Sequence, residues 1–500
     1  MRSLVIKIAA VIFSNLLNVG KGAIACLLLT ASFGACKKEK DLLNPVPRTS
    51  IIDATAFDTP ERVLGLVNGM YSSVKDPQFF GGKYVMYGDF RGEEFINRTA
   101  NIFTGYDTWG HTLNSSSNEV VNLWSAAYTA INSVNVFLQG LNDNISKVDA
   151  TLAKQYTAEA QFVRALSYFC LVTLYARPYV ENNGASKGLP LRLQAETNTS
   201  NNDLVRSTVA EVYAQILKDL NDAEANLPLT YTSDLLNTTR AHRNSAIALK
   251  TRVYLNMGKY DKVIEEASKI VSATAPFKAN NGVAHQLQSD ISVVFSSNYV
   301  STESIFSMPN TELNSATGQN ALGYILNAAP TGNAEYSVNP SGIMGNAEWK
   351  ATDKRRSFLT GSGSTVFLKK YNKPSPYIDY VPVMRYSEVL LNYAEAAAKL
   401  NDLPKALALL TAVRQRADPS YTFTAGQTST VDAMVSSIWI ERRIEFIGEG
   451  LRSNDLLRNL LTIPGKGSSS LTSPSIAPSQ PAYTFPLPNT EILTNKLLMQ

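Results

Sequence analysis

The chain is short of the residues from which metal centres and disulfide frameworks are made. Only three cysteines and three histidines occur in 500 residues. Cys26, Cys36 and Cys170 are too few for a disulfide scaffold. His111, His242 and His285 stand at no spacing that makes a metal pair, so neither a metal nor a cofactor is expected. Charge is scarce as well: 18% of residues are charged and the formal net charge is +4, which speaks against nucleic acid as a partner. The most apolar stretch, Ile8 to Phe33, is broken by Asn15, Asn18 and Lys21, which weakens it as a membrane span. What is present is an apolar fraction of 44%, enough at this length for a large domain or two fused lobes. The 28 Gly, 22 Pro and 23 Tyr are spread through Asn-, Ser- and Thr-rich stretches and predict long polar loops between periodic segments.

Arg2 and Lys7 ahead of the interrupted apolar stretch give it the form of an export signal. It ends in Leu29-Thr30-Ala31-Ser32-Phe33-Gly34-Ala35-Cys36, with small residues at the two positions before a cysteine, as lipoprotein processing requires. The expectation is a signal peptide over 1–35, a lipidated Cys36 and a tether to residue 49. More than one acyl chain on Cys36, at roughly 0.8 kcal/mol per buried methylene, gives stable attachment to a membrane. Lys37 stands where an Asp would retain a lipoprotein in the inner membrane, so the expected location is the outer membrane. With Cys26 removed and Cys36 modified, Cys170 has no partner. It falls on the stripe Tyr156, Ala160, Val163, Leu166, Cys170, Leu174 and is predicted to be core.

Helical periods come next along the chain. Leu123 to Leu141 and Leu152 to Tyr175 read as helices, the second ending before Pro178. A third runs from Val209 to Leu227, opened by Thr208 and Glu211 at capping-box spacing and stopped by Pro228. Ser245 to Met257, Gly258-Lys259-Tyr260 and Asp261 to Val271 outline a tetratricopeptide-type hairpin. Glu388 to Leu400, Asn401-Asp402 and Leu403 to Arg416 outline another. The two align when Gly258 is set on Asn401 and Val263 on Ala406. Between them, residues 275–382 form a loop-rich insertion with short extended runs at Ser304 to Met308 and Thr365 to Leu368.

Several blocks, in this order, resemble one family. They are Asp41-Leu42-Leu43-Asn44-Pro45 after the lipid site, Trp124 to Asn135, Ala158 to Phe169 and Gly188-Leu189-Pro190-Leu191. Nearer the C-terminus stand Arg385 to Leu391, Ala394-Glu395-Ala396, Glu441-Arg442-Arg443-Ile444-Glu445-Phe446 and Phe485-Pro486-Leu487-Pro488. The chain thereby resembles the SusD/RagB family. It departs from the family's Gly-His-Arg-Trp pattern at Gly450-Leu451-Arg452-Ser453, where the aromatic is missing. The resemblance implies a mainly α, SusD-like fold in which four tetratricopeptide-like helical pairs cradle loops, with an N-terminal part over 50–274 and a C-terminal part over 275–500. It also implies a surface protein that captures oligosaccharides, or other nutrient oligomers such as peptides, beside a SusC-type TonB-dependent transporter, and no catalysis.

Two alternatives are weighed against that reading. Glu441, Glu445 and Glu449 share one helix face and could in principle form the acid and base of a glycosidase. Arg442, Arg443 and Arg452 lie within a turn, however, and a structural ion-pair network with them explains the pattern. A protein-binding tetratricopeptide adaptor is the other. For binding a sugar, exposed aromatics among amides and charges are wanted. Two regions offer that mixture. Phe79 to Trp109 supplies Tyr84, Asp89, Arg91, Asn101, Tyr106 and Trp109, and the insertion supplies Tyr324, Tyr336 and Trp349. Trp109 and Trp349, set in polar surroundings, are the favoured ligand platforms.

Overall fold

In the computed structural model, residues 55–296, 299–363 and 365–500 are described. The expected signal peptide, Cys36 and the tether lie outside the described residues. The chain divides into two units, Met1–Val63 and Leu64–Gln500. The second holds nearly all of the described residues.

Two helices, α1 (Pro60–Val74) and α2 (Lys83–Phe90), precede a succession of helices. These are α3 (Asn118–Asp143), α4 (Ala150–Tyr175), α5 (Val209–Asn226), α6 (Arg243–Asn256) and α7 (Tyr260–Ala267), then α8 (Tyr386–Lys399), α9 (Leu403–Ala417), α10 (Val431–Phe446) and α11 (Arg452–Leu457). Neighbours in this order pack on one another: α3 on α4, α4 on α5, α5 on α6, α6 on α7, α7 on α8 and α8 on α9 and α10. The mainly α fold is as expected. α5 opens on its capping box, the Glu211 amide donating to the Thr208 hydroxyl at 3.2 Å and the Thr208 amide to the Glu211 carboxylate at 2.7 Å. Cys170 is core: it is buried in α4, and burial pushes its thiol up to about 12.

The proposed alignment of the two hairpins has a stereochemical basis. Gly258 and Asn401 both take φ of +66°, the left-handed conformation that ends a helix and that Gly and Asn adopt at least cost. In both, the next amide reaches back five residues, Lys259 N to Tyr254 O at 3.0 Å and Asp402 N to Ala397 O at 2.8 Å. Val263 and Ala406, the aligned apolar positions, are both fully buried.

Buried arginines pin the helix interfaces. Arg164 of α4 forks onto Asp219 of α5, both bonds at 2.8 Å, and reaches Asn135 of α3. Arg252 of α6 forks onto Glu388 of α8 at 2.6 Å. Arg442 of α10 joins Asn392 of α8 to Asp455. Such charge-assisted contacts, made through two bonds, fix orientation as well as proximity.

The insertion is tied down by short antiparallel pairs. Strand β1 (Phe95–Asn97) pairs with β3 (Tyr336–Val338), and β2 (Ser304–Met308) with β6 (Val381–Arg385). β4 (Leu359–Ser362) pairs with β5 (Thr365–Leu368). Both extended runs expected in the insertion are strands. β6 runs directly into α8, so the β2–β6 pair returns the chain to the helical array. α2 was not foreseen. Seven of its eight residues are buried, so it shows no polar face and hence no amphipathic signal. Gly88 makes its packing possible, because a methyl there would collide with the Gly450 carbonyl. In the segment that departs from the Gly-His-Arg-Trp pattern, Gly450 supplies this close approach and Ser453 is buried.

Candidate functional site

The carboxylates that suggested catalysis belong to the core. Glu441, Glu445 and Glu449 meet Arg355, Arg385, Arg414, Arg416 and Lys370, joined by Asp353 and Glu303. Five cations thus face five anions. Glu445 alone bonds Arg355 and Arg385 at 2.8 Å and Arg416 at 2.5 Å. Burial by itself would raise the Glu445 carboxyl, but Arg416, Arg385 and Arg355 outweigh it and hold it well below the usual carboxylate range. A general acid needs the opposite shift. The network is structural, as expected, but its partners differ from those expected. Arg442 binds Asp455, while Arg443 and Arg452 bind Glu93 and Glu94; Arg442 and Arg443, one and two residues on from Glu441, leave its helix face, and α10 ends at Phe446, so Glu449 and Arg452 are not on that helix.

The two loop regions singled out in the sequence come together. β1–β3 pairing joins them, and the Glu335 carboxylate accepts from Thr99 and from Thr104, the latter at 3.1 Å. Lys83 ties the same loops from below, donating to the Phe103 and Gln319 carbonyls at 2.5 and 2.8 Å.

Most of the aromatic rings proposed as platforms form the inside of this junction. Trp109 is fully buried, its indole N–H donating to the Phe95 carbonyl at 2.8 Å. Tyr336 is fully buried and stacks on Phe90 at 3.7 Å. Trp349 is 2% exposed, and Arg356 covers its face at 4.7 Å. The polar neighbours in sequence had suggested exposure, yet in each case the loop folds its ring inward, and several of the neighbouring amides, Asn97, Asn327 and Asn339, are buried with it. Asp89 is buried, and burial pushes its carboxyl up to about 7. Arg91 donates to the Ala482 and Tyr483 carbonyls. Tyr84 is half-buried, packed on Phe79 and Phe80 with its hydroxyl against Cys170. These six residues offer no free ring face or free charge to a ligand on the loop surface.

Asn101, Tyr106 and Tyr324 do reach the surface. Asn101 accepts from the Phe103 amide at 3.0 Å and caps the Ile102–Thr104 turn, which leaves Phe103 60% exposed and Ile102 48%. Tyr106 lies over Trp109 at 6.0 Å. Tyr324 meets Tyr377 edge to face at 5.9 Å, and exposed Asn333 donates its backbone N–H to the Tyr324 carbonyl at 2.7 Å and its side-chain amide to the Glu335 carboxylate at 2.6 Å. Arg98 is also exposed here, its backbone amide bound to the Glu335 carbonyl. The result is one face carrying partly exposed aromatics, a guanidinium and amides. Sequence reasoning missed Arg98, which precedes the turn, and Tyr377, which stands in the Pro-rich segment Lys373-Pro374-Ser375-Pro376-Tyr377. The signal for Tyr377 was that same mixture of aromatic and loop-forming residues.

A groove of about 420 Å³ lies elsewhere, lined by Trp124, Tyr128, Asn132, Arg192 and Glu491 among others. Its charges are already satisfied, Arg192 binding Glu196 at 2.7 Å and Glu491 at 3.1 Å. Among the described residues no helix is long and apolar enough to cross a membrane.

Comparison with known proteins places this geometry in context. A SusD-like family described as starch-binding and associating with the outer membrane matches residues 43–255, and the SusD family matches 251–500. The SusD-like protein P2 of Formosa agariphila is 25% identical, the match covering 89% of this chain and 92% of that protein. A SusD superfamily protein from Bacteroides fragilis superposes with a TM-score of 0.81 at 32% identity, covering 89% of this chain and all of the other. A laminarin-binding SusD-like protein shares the fold, with a TM-score of 0.68 at 22% identity over 88% of this chain and 98% of its own. The chain belongs to the SusD family.

Proposed function

We propose that the protein is an outer-membrane lipoprotein, anchored through Cys36, that binds oligosaccharides on the face built by Asn101–Tyr106, Tyr324, Asn333 and Tyr377 and passes them to a SusC-type TonB-dependent transporter. The observation that carries this reading is the convergence of three separate loops on one surface whose aromatics are partly exposed, with Asn101 and Asn333 at its edge held by the Phe103 amide and the Glu335 carboxylate. Sugar rings present C–H faces that pack on aromatics, and hydroxyls that pair with amides and guanidinium groups. Both kinds of group are gathered here, and the Glu335 carboxylate at the junction is buried and accepts from Thr99, Thr104 and Asn333. Family membership supports a surface binding role, and the laminarin-binding neighbour makes a glucan the first ligand to try. Other nutrient oligomers such as peptides are the second reading, favoured by exposed Ile102 and Phe103.

The test is an array of oligosaccharides and peptides, followed by calorimetry on the chain from residue 37 onward. Tyr324→Ala combined with Phe103→Ala is expected to weaken binding of the selected ligand at least about tenfold, the loss of roughly 1.4 kcal/mol. Unchanged affinity in that double variant would remove the site from this face. Selective capture of peptides would replace the sugar.

A further inference from the structure

The loop face does not stop at Phe103. Lys83 donates to the carbonyls of both Phe103 and Gln319, so these two exposed residues adjoin. The next residue, Asn320, accepts from the Gln78 side chain at 3.3 Å, and Gln78 lines a groove of about 470 Å³ between α1 and α3. Gly69, Ser72 and Ser73 form one wall of it, and Asn122, Ser125 and Thr129 stand in the other. A methyl added at Gly69 would touch no other segment. Ser125 and Thr129 also line the groove of about 420 Å³ at Trp124 and Tyr128, so the two grooves abut along α3. From Asn122 to Asn132 the helix rises roughly 15 Å, more than one sugar unit spans.

The chemistry of this surface is that of hydroxyls and amides. Ser72, Asn122, Ser125 and Thr129 are exposed, and among the described residues their side chains bond nothing in the protein. At the far end the Tyr128 ring is half-buried and tilted against Trp124 at 4.8 Å, and its hydroxyl donates to the Pro190 carbonyl at 2.9 Å, which fixes the ring. Arg192, the one cation lining either groove, is already tied to Glu196 and Glu491, so an acidic chain finds no free counter-charge. A polypeptide is poorly matched as well. Extended peptides need a sheet edge or apolar pockets, whereas α1 and α3 satisfy their backbone groups internally and present small polar side chains. Hydroxyls and an amide along a groove, with a ring at its end, fit the hydroxyls and C–H faces of a neutral glycan.

We infer that the two grooves are a track for the continuation of a neutral glycan chain, whose first units sit on the loop face and whose later units cross Ser125 and Thr129 to pack on Tyr128. The track rests on the saccharide reading of the loop face and adds to it a preference for long chains.

The experiment is calorimetry with a laminarin-type glucose trimer and decamer on the chain from residue 37 onward, as wild type, Thr129→Trp, Ser72→Trp and the double variant Tyr324→Ala with Phe103→Ala. The decamer is expected to bind wild type at least about tenfold more tightly than the trimer, the gain from two or more added hydrogen bonds. Thr129→Trp and Ser72→Trp place an indole in the groove from exposed positions. Each should remove most of that gain and leave the trimer unchanged. Repeated units alone raise apparent affinity statistically, and a gain of that kind is undiminished in both variants. Equal affinity of trimer and decamer, a gain undiminished in either Trp variant, a loss shared equally by the trimer, or no binding of either oligomer would each overturn the track. Decamer binding that both Trp variants abolish but the loop-face double variant leaves intact would overturn it too, since the grooves would then be a separate site. Failure of the loop-face reading shows separately, in a trimer whose binding is indifferent to that double variant.

Discussion

The helical array and the loop face solve the same problem, holding polar chain inside a large protein, in opposite ways. In the array, charge is buried and paired: Arg385 bonds Glu303, Glu445 and Glu449 in one place, all inside. At the loop face, the large rings Trp109 and Tyr336 are buried, while Asn101 and Asn333 reach the surface. The difference teaches where each part of the molecule can tolerate change. A buried ion pair stripped of one partner leaves a charge that nothing solvates, whereas a ring or amide at the surface loses only what it gives a ligand. Replacing Arg385 with Met should therefore have the largest effect, a destabilisation of about 3–5 kcal/mol, read from denaturant unfolding. A loss below about 1 kcal/mol would mean that water or rearranged partners reach the network.

The next effects separate the two layers of the loop face itself. Trp109→Ala removes a fully buried ring and a hydrogen bond, and should cost about 3–5 kcal/mol of stability. Tyr377→Ala, at the partly exposed layer, should cost less than about 1 kcal/mol while weakening ligand binding several-fold. If Trp109→Ala instead left the melting temperature intact and abolished binding, the buried and exposed layers would have to be exchanged.

A pH series sharpens the same contrast. The Asp89 carboxyl, raised by burial to about 7 from 3.8, holds a proton that the unfolded chain releases. Its contribution to stability is complete below the unfolded value and is lost as pH rises toward 7. Burial lowers His285 to about 4 from 6.5, which works oppositely: stability is complete above 6.5 and falls as pH drops toward 4. Because both act in one window, the wild-type profile mixes them and a variant must isolate one. Asp89→Asn mimics the protonated form, so its melting temperature relative to wild type should rise between pH 4 and pH 8. A difference that is flat with pH would show that the carboxylate is already ionised in the fold.

What the sequence disclosed divides along the same line. The helices of the array carry apolar periods, and their ends carry chemistry that acts locally: Thr208 with Glu211, Pro228, and the left-handed Gly258 and Asn401. Those signals are contained within a few residues, so they can be read one segment at a time. The direction of a loop ring is not local. Whether Trp109 faces water depends on Phe95 and Lys466, and whether Trp349 does depends on Arg356. Polar sequence neighbours say only that the backbone is near solvent. The partners of Glu445 were hidden for the same reason, since Arg355, Arg385 and Arg416 come from three other segments. α2 escaped because a helix buried on all sides carries no periodic contrast.

The smallest expected effect distinguishes scaffold from ligand contact at one residue. Asn101 Oδ1 caps the Ile102–Thr104 turn through the Phe103 amide, while its side-chain N–H has no part in that bond. Asn101→Ala removes both groups, so it should cost up to about 1 kcal/mol of stability through the cap and about fivefold in affinity, the net worth of one neutral hydrogen bond near 1 kcal/mol. Asn101→Asp keeps the acceptor and hence the turn, but withdraws the donor. If the amide binds a sugar hydroxyl, Asp should match wild type in melting temperature and match Ala in affinity. If Asp binds as tightly as wild type, Asn101 serves only to shape the turn, and the ligand is held by Phe103, Tyr106, Tyr324 and Tyr377, the side chains that turn leaves at the surface.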